Sequence, residues 1–180
     1  APMIHPAKVT FYAASALALT ACASVPDTQN DPVATAVLLD NTGAPTGEAR
    51  LFAYDETVEL AVTVQGLAPG EHGFHLHTTG RCALPDFTSA GGHLNPSDEG
   101  HGLLDDDGSH MGDLPNLVVG ANGTATTRVT IGGPRDYVLE SIFDDDGTAV
   151  VIHAKPDDGR TDPSGAAGPR ERCGVLEPTT

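Results

Sequence analysis

Between Gly70 and Asp113 the chain reads G-E-H-G-F-H-L-H, then G-G-H-L-N-P, then H-G-L, then H-M-G-D. Five of its histidines, His75, His77, His93, His101 and His110, together with Asp113, are groups suited to binding a transition metal, and His153 further on is another. His75 and His77 are two apart, so on an extended chain both rings fall on one side and can share one ion. Imidazole suits copper, zinc and iron, whereas calcium and magnesium take mostly oxygen ligands. Of the 8 histidines only His5 and His72 stand outside potential ligand positions. The acidic runs at 105–107 and 144–146 are each followed by Gly but lack the spacing and terminal Glu of a calcium loop, so they read as solvated turns.

The elements that must position these groups read as strands. Residues 33–39 form the first, followed by turns at 41–43 and 45–47, and a weaker pattern runs over 49–54. Val58, Leu60, Val62 and Val64 alternate with Glu59, Ala61 and Thr63, which gives one core face and one wet face. Gly66 to Gly70 breaks that strand and delivers the chain to the first histidines. Residues 78–123 are rich in Gly, Pro and Asp with little periodicity, a length that a compact domain tolerates only if metal or disulfide cross-links hold it. Strand patterns resume at 124–131, 137–143 and 149–153, and a short one closes the domain after Cys173. With helical periodicity nearly absent, the reading is all-β: a Greek-key barrel or sandwich with long loops, in one domain over 33–180.

Formal charge is -16, from 25 acidic against 9 basic residues, which argues against nucleic-acid binding. Residues 1–21 carry Lys8 and an apolar run too short for a confident membrane span, which reads as a signal peptide. Its end, Leu19-Thr20-Ala21-Cys22, resembles a bacterial lipoprotein cleavage box with Cys22 as the lipidated residue. An ordinary signal peptide cleaved near Ala23 is the alternative. Residues 22–32 form a polar, Pro-bearing tether. Cys82 and Cys173 are then an even pair in an oxidising compartment, for which a disulfide is the default. Localisation would be the periplasm or cell envelope, with membrane contact only through the lipid. Ala23 after Cys22 resembles lipoproteins sent to the outer membrane.

G-E-H-G-F-H-L-H-x-x-G-x-C, A-G-G-H-L-N-P, H-x-G-D-L, V-V-I-H-A and G-x-x-x-x-C-G-V together resemble the copper/zinc superoxide dismutases, particularly the secreted bacterial branch. The likeness covers residues 33–177. It implies an eight-stranded Greek-key β-barrel, a sandwich of immunoglobulin-like type, with the metal site on its outer face under two long loops. By that resemblance copper would take His75, His77, His93 and His153, and zinc would take His93, His101, His110 and Asp113. His93 would bridge both as an imidazolate, release copper on reduction, and pass a proton to the forming peroxide. The substrate would be superoxide. Arg170, three before Cys173, matches the arginine that attracts the anion, a spacing that selects it over Arg172. Asp157, four after His153, matches the aspartate linking a copper-ligand to a zinc-ligand histidine, here His75 and His101, with Asp158 a close rival. The Cys82–Cys173 bridge would set the position of Arg170.

No ligand position of that family is missing, which separates the chain from copper-only and metal-lost relatives. Envelope metal storage or a zinc-stapled structural lipoprotein would need neither Arg170 nor a bridging histidine, and a hydrolytic zinc enzyme would need a general base that is not apparent. Steering is expected to be weak, since Lys155, Arg160, Arg170 and Arg172 are interleaved with Asp157, Asp158, Asp162 and Glu171. Phe52, Tyr54 and Phe87 are candidates either for burial or for a subunit interface, and the sequence leaves monomer and homodimer both open.

Overall fold

The computed structural model describes residue 3, residues 31–106 and residues 108–180. Apart from Met3, the segment expected to be a signal peptide lies outside the described residues, as do Cys22, most of the expected tether and Asp107. Ten strands and one α-helix follow in order: β1 (Ala34–Asp40), β2 (Pro45–Ala53), β3 (Val58–Gln65), β4 (Gly70–His72), β5 (Phe74–His77), β6 (Leu117–Val119), β7 (Thr124–Ile131), α1 (Arg135–Ile142), β8 (Ala149–His153), β9 (Arg170–Val175) and β10 (Glu177–Pro178).

Eight strands form one antiparallel sheet in the order β5-β8-β9-β1-β2-β3-β7, with β10 also paired to β1, while β4 and β6 make a separate two-stranded ladder. The sheet is Greek-key-like, because β9 returns to lie beside β1 and β8 places itself between β9 and β5. It curls into an open half-barrel rather than the expected closed barrel. The edge strands β5 and β7 do not hydrogen-bond to each other, and the chain between them is spent on long loops and on β6, which pairs with β4 instead. Alternating residues report which face of a strand is buried but not whether the last strand meets the first, so closure was invisible in the sequence.

Val58, Leu60, Val62 and Val64 all point into the main core beside Leu38, Leu51, Phe74 and Ile131. Strand β8 is buried along its whole length because it packs on both faces. Val150 and Ile152 join the main core, whereas Ala149 and Val151 join Phe87, Ala90 and Cys173 in a smaller cluster. Phe87 and Phe52 are therefore structural: the first is fully buried, and the second lies under the Arg128 guanidinium at 4.3 Å. Arg128 also donates to the Tyr54 hydroxyl at 2.9 Å.

Two local expectations are corrected. Residues 45–47, read as a turn, open β2, and Gly47 passes so close to β3 that a Cβ there would lie 2.2 Å from the Thr63 carbonyl. Residues 137–143, read as a strand, belong mostly to α1. Pro134 precedes the helix where its missing N–H costs nothing, and Asp136 sits in the first turn, favourable to the helix dipole. Val138 and Ile142, one turn apart, then share the buried face.

Candidate metal centre

Phe74 and Leu76 of β5 face the core, so His75 and His77 face the other side, beneath the loops. Three chain segments are tied together there by main-chain groups alone. The Leu76 N–H donates to the Gly112 carbonyl at 2.9 Å, the Gly112 N–H to the Leu94 carbonyl at 2.8 Å, and the Leu94 N–H to the Leu76 carbonyl at 2.8 Å. This closed ring of three hydrogen bonds has a candidate ligand on every side: His75 and His77, His93, and His110 with Asp113. Isolated bridges pair His75 with Asp113 and His77 with His93. Only Gly fits at 112, since a Cβ would lie 2.3 Å from the Leu76 carbonyl oxygen.

The ring and the end of β8 gather the seven candidates into two groups. His75, His77, His93 and His153 form one, and His93, His101, His110 and Asp113 form the other, with the donor atoms of each group within 4.8 Å of one another. His93 belongs to both. In the second group the Nδ1 atoms of His93, His101 and His110 lie 2.7, 3.1 and 3.2 Å from one oxygen of Asp113. The other Asp113 oxygen accepts the N–H groups of Gly102 and His110 at 2.8 and 3.1 Å.

Four of the rings are aimed by the nitrogen that does not face their group. His77 Nδ1 lies 2.9 Å from the Gly91 carbonyl and His153 Nδ1 lies 3.0 Å from the Gly168 carbonyl. His75 Nε2 is 2.6 Å from Asp157 Oδ2, and His101 Nε2 is 3.1 Å from Asp157 Oδ1. The opposite nitrogens, His75 Nδ1, His77 Nε2, His93 Nε2 and His153 Nε2, are buried and have no hydrogen-bond partner, and His101 Nδ1, also buried, stands 3.1 Å from Asp113 without forming a hydrogen bond. A buried polar atom without a partner is costly. Five aimed at two common points, in a set of imidazoles plus one carboxylate, fit a pair of borderline transition-metal ions such as copper and zinc.

Burial favours the neutral, ligating form of His77, His93 and His153. It lowers His93 to about 4 against the hydrogen bond to Asp113, lowers His153 to about 3, and pushes His77 well below the usual histidine range. Burial opposes the charge of Asp113, but hydrogen bonds from His93 and the Gly102 N–H outweigh it and hold the carboxyl at about 2. Asp157 is likewise driven far below the carboxylate range: burial works against its charge, and hydrogen bonds from His75, the Gly159 N–H and His101 overcome it.

Asp157 and Arg170 each occupy a different environment from the neighbour that rivals them in sequence. Asp157 spans His75 and His101, while Asp158 is exposed and accepts from the N–H groups of Arg160 and Thr161. Arg170 reaches a cavity of about 400 Å³ that it lines with His77, His93 and His153, while Arg172 turns away to the Gly66 carbonyl at 2.6 Å. Arg170 donates to the carbonyls of Phe87 at 2.6 Å and Gly91 at 2.5 Å, so it shares the Gly91 carbonyl with His77. Burial lowers its guanidinium, with Asp86 opposing. The Cys82–Cys173 disulfide forms, with Cα atoms 5.7 Å apart, and joins the loop holding Phe87 and Gly91 to β9, which carries Arg170.

Some contributors carried no sequence signal. Asn116 donates to the Asp157 carbonyl at 2.8 Å and accepts the Asp157 N–H at 2.9 Å, as a backbone partner would. Gly165, at φ +62°, passes under the Asp157 carboxylate where a Cβ would lie 1.9 Å from Oδ1. His72, outside both groups, is buried with Nδ1 2.7 Å from the His153 carbonyl and Nε2 2.9 Å from that of Ala68.

An antiparallel Greek-key sheet carrying two groups of candidate ligands that share one histidine is the architecture of a binuclear metal centre. Residues 45–176 match the family model described as copper/zinc superoxide dismutase (SODC). The chain is 40% identical over 151 residues to Superoxide dismutase (Cu-Zn) 2 of Aquifex aeolicus, covering 81% of this chain and 87% of that one. It resembles the crystal structure of a SOD-like protein from Bacillus subtilis with TM-score 0.74 and 36% identity, over 79% of this chain and 97% of that one. It also resembles the Cu/Zn superoxide dismutase from Brucella abortus with TM-score 0.66 and 26% identity, over 79% and 98% respectively. The chain belongs to the copper/zinc superoxide dismutase family.

Proposed function

We propose that this chain dismutates superoxide to oxygen and hydrogen peroxide, with copper at His75, His77, His93 and His153 and zinc at His93, His101, His110 and Asp113. The observation that carries the reading is His93: its Nδ1 faces Asp113, its buried Nε2 has no partner, and it stands in both ligand groups. Copper supplies, when bound, a one-electron couple that oxidises one superoxide and reduces the next, while zinc supplies charge without redox chemistry. Arg170 draws the anion into the cavity and orients it beside His77 and His153. His93 Nε2 is the atom that takes up a proton and passes it to the peroxide. Asp157 fixes both rings it holds so that their other nitrogens stay turned inward.

The test is metal content and superoxide decay measured on one sample, for wild type, His93→Ala and Arg170→Ala. One copper and one zinc per chain, fast decay, and loss on either substitution support the assignment. Slow decay at full occupancy sinks it and leaves a metal-binding protein. Arg170 is the only cationic side chain lining the cavity among the described residues, so the rate should fall modestly as ionic strength rises. A rate flat or rising with salt would remove local attraction from the mechanism.

The same reading extends to the cell envelope, with lipid on Cys22. The L-T-A-C box supports it, and an extracytoplasmic site agrees with the Cys82–Cys173 disulfide. Intact-mass measurement of the mature protein, alongside Cys22→Ser, decides it: an unmodified mature protein starting beyond Cys22 overturns the anchor.

A further inference from the structure

The cavity beside Arg170 touches His93 and His110 but not Asp113 or His101. A different cavity, also of about 400 Å³, reaches the second group, lined by Ser97, Ser109, His110, Met111, Asp113 and Tyr137 among others. The two approaches have His110 in common, and none of His75, His77 or His153 lines the second. His101, also in the second group, is fully buried, with its Nδ1 3.1 Å from Asp113, which does line the second cavity.

Across this second cavity Tyr137 of α1 and Ser97 of the loop after His93 hydrogen-bond through their hydroxyls at 3.0 Å. The two residues are 40 apart in sequence and otherwise belong to separate elements. Tyr137 is 40% exposed, so the bond lies at the surface and can open without disturbing the core. The lining includes the Asp113 carboxylate and no Lys or Arg, so the cavity favours a dication over an anion. The Arg170 cavity favours the reverse.

We propose that this second cavity is the exchange port of the zinc group, latched by the Ser97–Tyr137 hydrogen bond. A divalent cation enters and leaves through it while His75, His77 and His153 keep their own ion, so cation traffic and anion traffic use separate doors. The proposal rests on the assignment of zinc to His93, His101, His110 and Asp113.

The test uses protein carrying one copper and one zinc, mixed with an excess of a chromophoric zinc chelator. Zinc release is followed by absorbance, and retained copper by elemental analysis after desalting. Tyr137→Phe keeps the ring and deletes the latch, and Ser97→Ala deletes it from the other side. Each variant should speed zinc release about two- to tenfold, the range expected for one surface hydrogen bond, and leave copper release unchanged. The double variant should be no faster than either single one, since all three lack the same bond. Zinc release unchanged in both single variants overturns the port, and so does an equal acceleration of both metals, which would indicate general loosening. A wild-type protein that holds no zinc in this group overturns the functional assignment itself, a result readable before any rate is measured.

Discussion

Asp157→Asn separates charge and hydrogen bonding from shape at the one side chain that touches both ligand groups. In the native structure Oδ2 faces His75 Nε2 at 2.6 Å, while Oδ1 faces His101 Nε2 at 3.1 Å and accepts the Gly159 N–H at 2.6 Å. An asparagine has one acceptor oxygen and one amino group. His101 Nε2 lies 3.1 Å from either oxygen and so is served by both orientations; what decides is Gly159, whose N–H is fixed in the main chain and needs an acceptor at the Oδ1 position, so the amino group should turn to His75. There it meets an N–H, because His75 must keep Nδ1 free for an ion. The carboxylate is only 8% exposed, so solvent does little to screen the loss. A charge-assisted hydrogen bond of this kind is worth about 2 kcal/mol, or roughly a thirtyfold change in binding. Copper affinity should therefore fall about thirtyfold, inside the range usual for outer carboxylates, with zinc affinity falling less. Asp157→Ala, which satisfies neither ring, should weaken both. Competition titrations of metal-free protein against chelators of known affinity, one metal at a time, give the numbers. Zinc falling while copper holds would refute the orientation argument. Both holding would show that Asp157 does not aim the rings at all.

Gly165→Ala should weaken zinc and copper together and destabilise the fold by about 1–3 kcal/mol, because it strains a left-handed residue and drives a methyl into the Asp157 carboxylate. Metal titration and urea unfolding on the same variant check both. Metal-free protein should lose stability steadily as pH falls from about 6.5 towards 3. Over that interval unfolded histidines take up protons, while folded His93 and His153 resist until about 4 and 3 and His77 resists strongly as well. Each such ring costs about a kcal/mol per pH unit, and a melting temperature flat across the interval would contradict the burial argument. Replacing Cys82 and Cys173 by Ser opens a cross-link between residues 91 apart and should cost up to about 4–5 kcal/mol in urea unfolding. It should also slow superoxide decay with metals bound, since Arg170 loses its tie to the loop carrying Gly91. Unchanged decay would show that β9 alone fixes the arginine.

What the sequence disclosed and what it hid divide along a physical line. Strand β3 was legible because Val58, Leu60, Val62 and Val64 alternate without a break and all four are buried, and the apolar run of β8 is buried along its length. The ligand groups were legible because metal chemistry needs particular side chains, and side chains are what a sequence spells. Two of the partners that aim those side chains, the carbonyls of Gly91 and Gly168, belong to the main chain, and any residue type supplies a carbonyl. Asn116 escaped notice because it imitates backbone. Helix α1 was misread because Tyr137, Leu139 and Phe143 suggest alternation, while the pair that decides its packing, Val138 and Ile142, is four apart. Whether the sheet closes depends on the curl accumulated across all its strands, a property no local pattern records.

The ring of hydrogen bonds joining Leu76, Leu94 and Gly112 has an evolutionary consequence. Its donors and acceptors are peptide groups, so it is blind to the letters on either side of it, and only Gly112 is constrained by crowding. Lineages descended from such a framework are free to lose a histidine, exchange it or regain it while the three segments keep their mutual placement. Catalytic power and architecture are thereby uncoupled: the first drifts with single codons, and the second persists because peptide bonds do not mutate.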